Sequence, residues 1–166
     1  MAQPNKIRRR HAAGKLVVEQ IQDFNAISAL LRRAGMSADV FNNGGCFLMA
    51  YWGDDPVGIA DLQTQVDIAL MRRLFVLETI RRRGVGGCLL QAVRVAAHAR
   101  GARMLYAMTP SPLIGYFARF GFTTVSFAEV AKVLGDVGML QPTRSDQASE
   151  CRLIRLDISR DGLIER

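Results

Sequence analysis

Five residues beyond the apolar run Leu74-Phe75-Val76, the chain reads Arg81-Arg82-Arg83-Gly84-Val85-Gly86-Gly87 and continues as an amphipathic segment. The chemistry this spacing suits is anion capture. Glycines remove the Cβ atoms that would block a ligand, so successive backbone N–H groups can point at phosphate oxygens. A helix starting there adds unsatisfied donors and about +0.5 of a charge from its dipole. Arg81, Arg82 and Arg83 can pair with further oxygens or raise the local potential. The plainer alternative is a solvated charge run followed by an ordinary helix start. Glycine is costly inside a helix unless a close ligand or tight packing requires it, which favours the functional reading.

Two other phosphate-binding patterns fail on the residues. A P-loop needs Lys-Ser/Thr directly after its last glycine, and no such pair follows Gly84, Gly86 or Gly87. A dinucleotide fingerprint needs a third glycine where Leu89 stands, and an acidic residue about 20 positions on, where Tyr106 lies between Leu105 and Ala107.

Further candidates flank this segment. Arg72 and Arg73 are adjacent in an expected strand, so at least one faces a side of the sheet usually filled by apolar groups. A buried arginine needs a partner, which an acceptor carboxylate or an internal pair with Asp61 or Asp67 would supply equally well. Asp67 and Asp61 are the carboxylates available as a general base, with capping or surface roles as their alternatives and a water chain as another proton route. His98 falls on a polar helix face, and His11 lies near the amino end. Cys46, Cys88 and Cys151 have no paired spacing, so neither a disulfide framework nor a zinc site is expected; Cys88 reads as a small core residue.

The elements that must position these groups follow from periodicity. Lys15–Glu19 reads as a strand, and Phe24, Ile27, Leu30 and Leu31 recur at helical spacing until Gly35. Cys46–Trp52 and Val57–Gln65 read as a hairpin joined by Gly53-Asp54-Asp55-Pro56. A strand over Ile68–Val76 precedes the glycines. On the helix they open, Val85, Leu89, Val93 and Ala97 share one face, and Gly101 ends it. Met104–Met108 is a strand. Ser111-Pro112 reads as a cap and first helical residue, with Leu113, Phe117 and Phe120 lining a face before Gly121 stops the helix and Phe122 folds back. Thr123–Ser126 and Cys151–Ile158 read as strands around a short helix over residues 127–134. Early hairpins and later strand–helix alternation predict a mixed α+β sheet with packed helices.

The chain has 166 residues, 49% hydrophobic and 22% charged, which excludes disordered and fibrous classes and fits one domain. Residues 1–14, with Arg8, Arg9 and Arg10, read as a flexible basic tail before a single domain over 15–166. No apolar run is long enough to span a bilayer, and no secretory signal is visible, so a cytoplasmic protein without membrane attachment is expected. The excess of 22 Lys+Arg over 15 Asp+Glu leaves +7 and suits an anionic partner.

The stretch Leu74-x-Val76-x-x-x-x-Arg81-Arg82-Arg83-Gly84-Val85-Gly86, then a helix, a strand and Tyr116-Phe117-Ala118-Arg119-Phe120-Gly121-Phe122, resembles the GNAT N-acetyltransferase superfamily, with the likeness extending over residues 15–125. The ending is similar to N-acetylglutamate-synthase-type enzymes and to small acetyltransferases associated with arsenic resistance. The resemblance implies a central, mostly antiparallel sheet with helices on both faces. It also implies acetyl-CoA as co-substrate without a metal, and a small-molecule amine as acceptor, an amino acid or related acidic amine among the options. On this pattern the pyrophosphate sits on the amides of Arg82, Arg83, Gly84, Val85, Gly86 and Gly87, with Arg81 beside it. Pantetheine lies along Leu74, Phe75 and Val76, and the amide of Phe75 or Val76 serves as oxyanion donor. Many members carry a tyrosine at the position of Phe117, which has no proton to give and is left as a cofactor contact; Tyr116 is adjacent, but one helical step turns a side chain by about 100°. Many also place Asn where this chain has Thr109-Pro110. Arg72 and Arg73 remain acceptor candidates. Relatives often dimerise, which leaves a homodimer open. Two rivals stand beside the enzyme: a CoA-binding sensor of the same fold without catalysis, supported by Phe117, and a nucleic-acid-binding protein, supported only by the charge.

Overall fold

The computed structural model describes residues 14–37, 45–126, 128–130, 133 and 151–159. Among these, β1 (Leu16–Ile21), β2 (Cys46–Trp52), β3 (Asp55–Gln65), β4 (Ile68–Val76), β5 (Met104–Pro110), β6 (Thr123–Val125) and β7 (Cys151–Asp157) form one sheet, ordered β1-β2-β3-β4-β5-β7-β6. Every neighbouring pair is antiparallel except β4 and β5, which run parallel. A parallel pair needs a crossover, and α2 (Val85–Ala99) provides it. The other helices are α1 (Phe24–Arg33) and α3 (Ile114–Ala118), with 3₁₀ turns at Glu78–Ile80 and Ser111–Leu113. The expected mixed α+β architecture is the one the chain forms.

Consecutive strand residues face opposite ways, and β2 shows which helix covers which face. Phe47 meets Phe24 of α1 edge to face at 5.8 Å, while the neighbouring Leu48 lines a groove with Ala92 and Ala96 of α2. Helices therefore cover both faces. Ala69, Met71, Leu105, Ala107, Ile154 and Leu156 join the core under α2. Ile68, Leu70, Tyr106 and Leu153 face the other way and pack with Val130, which lies in a helical segment. Asp23 caps α1 by accepting from the amides of Asn25 and Ala26, which satisfies two donors the helix leaves open.

Several local expectations change. Strand β3 begins at Asp55 and takes in Pro56, beside the bulge that leaves Val57 without a partner on β2; a missing N–H is tolerated at the start of a strand and at a bulge. Strand β5 continues through Pro110, and Ser111–Leu113 is a 3₁₀ turn without a side-chain cap. Helical phase starts only at Ile114, so Leu113 is left 47% exposed instead of lining a buried face. Cys88 is exposed and not a core residue, because the buried arc of α2 carries Val85, Leu89, Leu90, Val93 and Ala97 and Cys88 falls about 60° outside it. Gly121 does close α3 as expected: it is left-handed at φ 88, and Phe122 donates back to the Phe117 carbonyl at 3.3 Å. Of the expected amino-terminal tail only Gly14 lies within the described residues, and of the 127–134 helix only residues 128–130 and 133 do.

Candidate active site

Strand β4 pairs with β5 only from Ile68 to Met71, which face Met104 to Ala107. Beyond Met71 it keeps its partner on the other side, with Arg73, Leu74, Phe75 and Val76 opposite Asp61, Ala60, Ile59 and Gly58 of β3. The strands part at a bulge. Asp61 pairs with Arg73 and Leu62 with Met71, so Arg72 is an extra residue in β4. A bulge bends its strand, and here the bend coincides with the last β4–β5 pair. The result is a gap between the carboxyl-terminal halves of two parallel strands.

The backbone facing that gap can be assigned. The Leu77 amide donates to the Val57 carbonyl at 2.9 Å, and the Phe75 carbonyl lies 2.9 Å from where a Cβ on Gly58 would stand. In an antiparallel pair the residues alternate, so Phe75 spends its backbone groups on β3 while Leu74 and Val76 turn theirs toward the gap. Of the two expected oxyanion donors, the Val76 amide is the one so placed. The Val76 carbonyl already accepts from Arg81 Nε at 3.2 Å.

The mouth of the gap is the loop before α2. Gly84 is the N-cap at φ 82, without a side-chain cap, and a Cβ there would meet nothing within 4 Å. The first helical bond of α2 runs from the Cys88 amide to the Gly84 carbonyl, at 3.1 Å. The amides of Val85, Gly86 and Gly87 therefore have no acceptor in the helix. Arg82 also adopts a left-handed conformation, φ 64, a cost that non-glycine residues bear mainly at ligand-holding turns. Arg83 turns toward β2, its guanidinium carbon 6.0 Å from the Trp52 ring centroid. A flexible arginine in such a contact keeps access to the mouth through its long stem.

The aromatic end of α3 forms the roof. A Cβ on Gly86 would stand 2.6 Å from the Tyr116 hydroxyl and 3.9 Å from Val76 Cγ2, and one on Gly87 would meet Phe120 Cζ at 3.4 Å. These two glycines thus make room for rings as well as leaving amides bare. Tyr116 stacks against Phe120 at 5.2 Å and lies under Arg119 at 5.3 Å. Burial pushes its phenol up, with Cys88 adding to the rise and Arg119 opposing it, so the hydroxyl is protonated at neutral pH. Phe117 is 5% exposed, edge-on to Phe122 and Tyr116, and belongs to the core.

The acceptor candidates separate. Arg72 is exposed on the bulge, bonded to Gln63 Oε1 at 3.4 Å. Arg73 faces Asp61 across the β3–β4 pair, on the α1 side of the sheet with Phe75 and Ile59. Asp61 is half-buried, and burial raises its carboxyl while Arg73 and Arg72 pull it down. Asp67 is not brought to the gap: it lies in the turn at the opposite end of β4 from Val76, about 25 Å along the strand, where its carbonyl accepts from Arg103 and Met104. Among the described residues no group of three or more His, Cys, Asp or Glu could hold a metal ion, and no helix is long and apolar enough to cross a membrane.

A parallel pair parted at a bulge, with bare amides at its mouth, leaves a slot between two strands that suits an extended anionic ligand. Comparison with known proteins makes this specific. The acetyltransferase (GNAT) domain family matches residues 43–124. The matched stretch covers just under half of the chain, from β2 through α3. The fold is similar to ribosomal-protein-S18-alanine N-acetyltransferase from Escherichia coli, at 16% identity and TM-score 0.66 over 92% of this chain and 99% of that one. It is similar to a GNAT family acetyltransferase from Elizabethkingia anophelis with acetyl-CoA bound, at 16% identity and TM-score 0.64 over 86% and 97%. It is also similar to N-acetylglutamate synthase from Neisseria gonorrhoeae complexed with coenzyme A and N-acetyl-glutamate, at 18% identity and TM-score 0.65, where 90% of this chain spans only 36% of that one. No curated protein sequence matches the chain.

Proposed function

We propose that the protein is an N-acetyltransferase that moves an acetyl group from acetyl-CoA to the primary amine of a small molecule, an amino acid or related acidic amine. The observation that carries this is the gap beyond Met71 and Ala107, with Leu74 and Val76 turned into it and unpaired α2 amides at its mouth. Those groups fit the donor: the amides of Val85, Gly86 and Gly87, with Arg81 and Arg82, suit a diphosphate, and the free backbone edge of Leu74 and Val76 suits the amides of pantetheine. Bound acetyl-CoA supplies an activated acyl group as a thioester. The Val76 N–H donates to the acyl oxygen as negative charge develops there. The acceptor amine, neutral when it attacks, forms the new C–N bond as the C–S bond breaks. Its proton leaves through Asp61 or water, and the Tyr116 hydroxyl gives one to the departing sulfur. Holding both reactants in the gap lowers the barrier by proximity. The exposed Arg72 and the half-buried Arg73 support an acidic acceptor over a neutral one.

Thermal melting with and without acetyl-CoA tests the reading. At 100-fold over its dissociation constant a ligand stabilises by about 2.7 kcal/mol, a shift of roughly 5–10 °C for a domain of this size. Gly84→Asp places a carboxylate in open space at the cost of a left-handed conformation that Asp bears better than most residues, so it should fold with a lower unliganded melt and lose the shift. Release of free CoA on adding an amine panel then shows turnover. An unshifted melt of the unaltered protein removes the donor. A shift without release favours the CoA sensor, a reading that the buried Phe117 supports.

A further inference from the structure

The two edges of the sheet are built differently. Strand β6 is three residues long with Thr123 and Thr124 exposed, the short polar form in which folded proteins blunt an edge. At the other edge β1 runs for six residues, pairs evenly with β2 without a bulge, and among the described residues has no strand beyond it. From Leu16 to Ile21 it carries neither proline nor lysine, and Glu19 is its one charge. Such an edge is a template for another strand.

The backbone decides what β1 offers. The Lys15 carbonyl accepts from the Gly53 amide at 2.9 Å, so Lys15 and every second residue after it spend their groups on β2. Leu16, Val18 and Gln20 turn their N–H and C=O groups outward. A second copy of β1, antiparallel about a twofold axis at Val18, uses all three. Val18 then faces its counterpart, and Leu16 faces Gln20 of the second copy. On the other face Val17 lies opposite the second copy's Glu19, which Lys15 reaches diagonally, so opposite charges approach and like charges do not.

The α2 face beside this edge is open as well. A groove of about 560 Å³ there is lined by Gln20, Leu48, Ala92, Val95 and Ala96, with Val95 42% exposed. In the Val18 register the second copy's Leu16 stands opposite Gln20 on this same face, so it meets the apolar wall of the groove.

We propose that β1 and the groove beside it are a homodimer interface, through which two copies of the chain form one continuous sheet. The gap lies three strands away on β4, so the proposal stands apart from the acetyl-CoA reading.

Sedimentation equilibrium of the full chain from about 2 to 200 µM should show a monomer–dimer equilibrium. Val18→Pro removes an outward N–H that β2 does not use, so it should fold and weaken the dimer by at least about tenfold. Val95→Glu puts a charge into the covered groove and should weaken it to a similar extent. Hydrogen exchange of the unaltered protein reads the interface without any substitution: the amides of Leu16, Val18 and Gln20 should exchange more slowly at the higher concentration, while those of Val17 and Glu19 stay as they were. A monomer at every concentration overturns the proposal, as does a dimer indifferent to either variant, or one that leaves those three amides unprotected.

Discussion

Burial raises the Asp61 carboxyl, and the charges of Arg73 and Arg72 recover only part of that cost. The same carboxylate adds to the rise of the Cys46 thiol, which burial dominates and Arg100 opposes. Because the folded chain holds the Asp61 proton more tightly than the unfolded one, ionisation works against folding. The contribution is complete below the unfolded carboxylate value of about 4, declines as pH rises through the folded one, and is flat above it. Asp61→Asn removes this liability. The variant should melt close to the unaltered protein at pH 3 and a few degrees above it at pH 7, with the difference opening between those limits. A difference independent of pH would mean that the ionised carboxylate is as well solvated or paired in the folded state as in the unfolded one. If Asp61 also takes the acceptor's proton, the same variant loses turnover while gaining stability, the pattern expected where activity is bought with strain.

At the scale of elements, α2 was legible because its apolar residues recur at the helical period and bury one face, and β2 and β4 because their runs are bounded by turn residues. The bulge was not. Nothing in Met71-Arg72-Arg73-Leu74 marks one residue as extra, and simple alternation put the two arginines on opposite faces; the extra residue becomes visible only against Leu62 and Asp61 of β3. Asp67 and Asp61 were indistinguishable as candidates for the same reason, since which end of β4 opens is decided by β5. The contact between Tyr116 and Gly86 joins residues thirty positions apart, so the glycines could be read for a ligand but not for the rings they accommodate. Deleting Arg72 tests the bulge directly. Pairing with β3 becomes one-to-one, Arg73 and Leu74 keep their faces, and a straightened β4 can continue along β5. The unliganded protein should then melt within a few degrees of the unaltered one, and the acetyl-CoA shift should fall by more than half. Retention of the full shift would show that something other than the bulge holds the strands apart.

For the whole molecule, the excess of seven positive charges sets how an anionic donor arrives more than how tightly it is held. Arg81, Arg82 and Arg83 stand at the mouth, and Arg72 and Arg73 lie three to four residues before Val76 on β4, about 10–13 Å along the strand, so the field there is positive beyond any single contact. Solvent-exposed charges act through a screening length of about 10 Å at 0.1 M salt and about 3 Å at 1 M, whereas hydrogen bonds from backbone amides inside the gap are hardly screened. Raising NaCl from 50 to 500 mM should therefore weaken acetyl-CoA binding by roughly three- to tenfold, with the association rate carrying most of the change and the dissociation rate moving less than about twofold. A duplex bound through the same arginines would respond differently. Each phosphate contact adds about 0.9 to the log–log salt slope, so binding through several of them collapses over the same range. Stopped-flow association with acetyl-CoA and a salt titration of a DNA duplex separate the two. A donor rate indifferent to salt would mean the arginines do not steer it, and a duplex held at nanomolar affinity in 150 mM salt would make nucleic acid the partner for which the charge is kept.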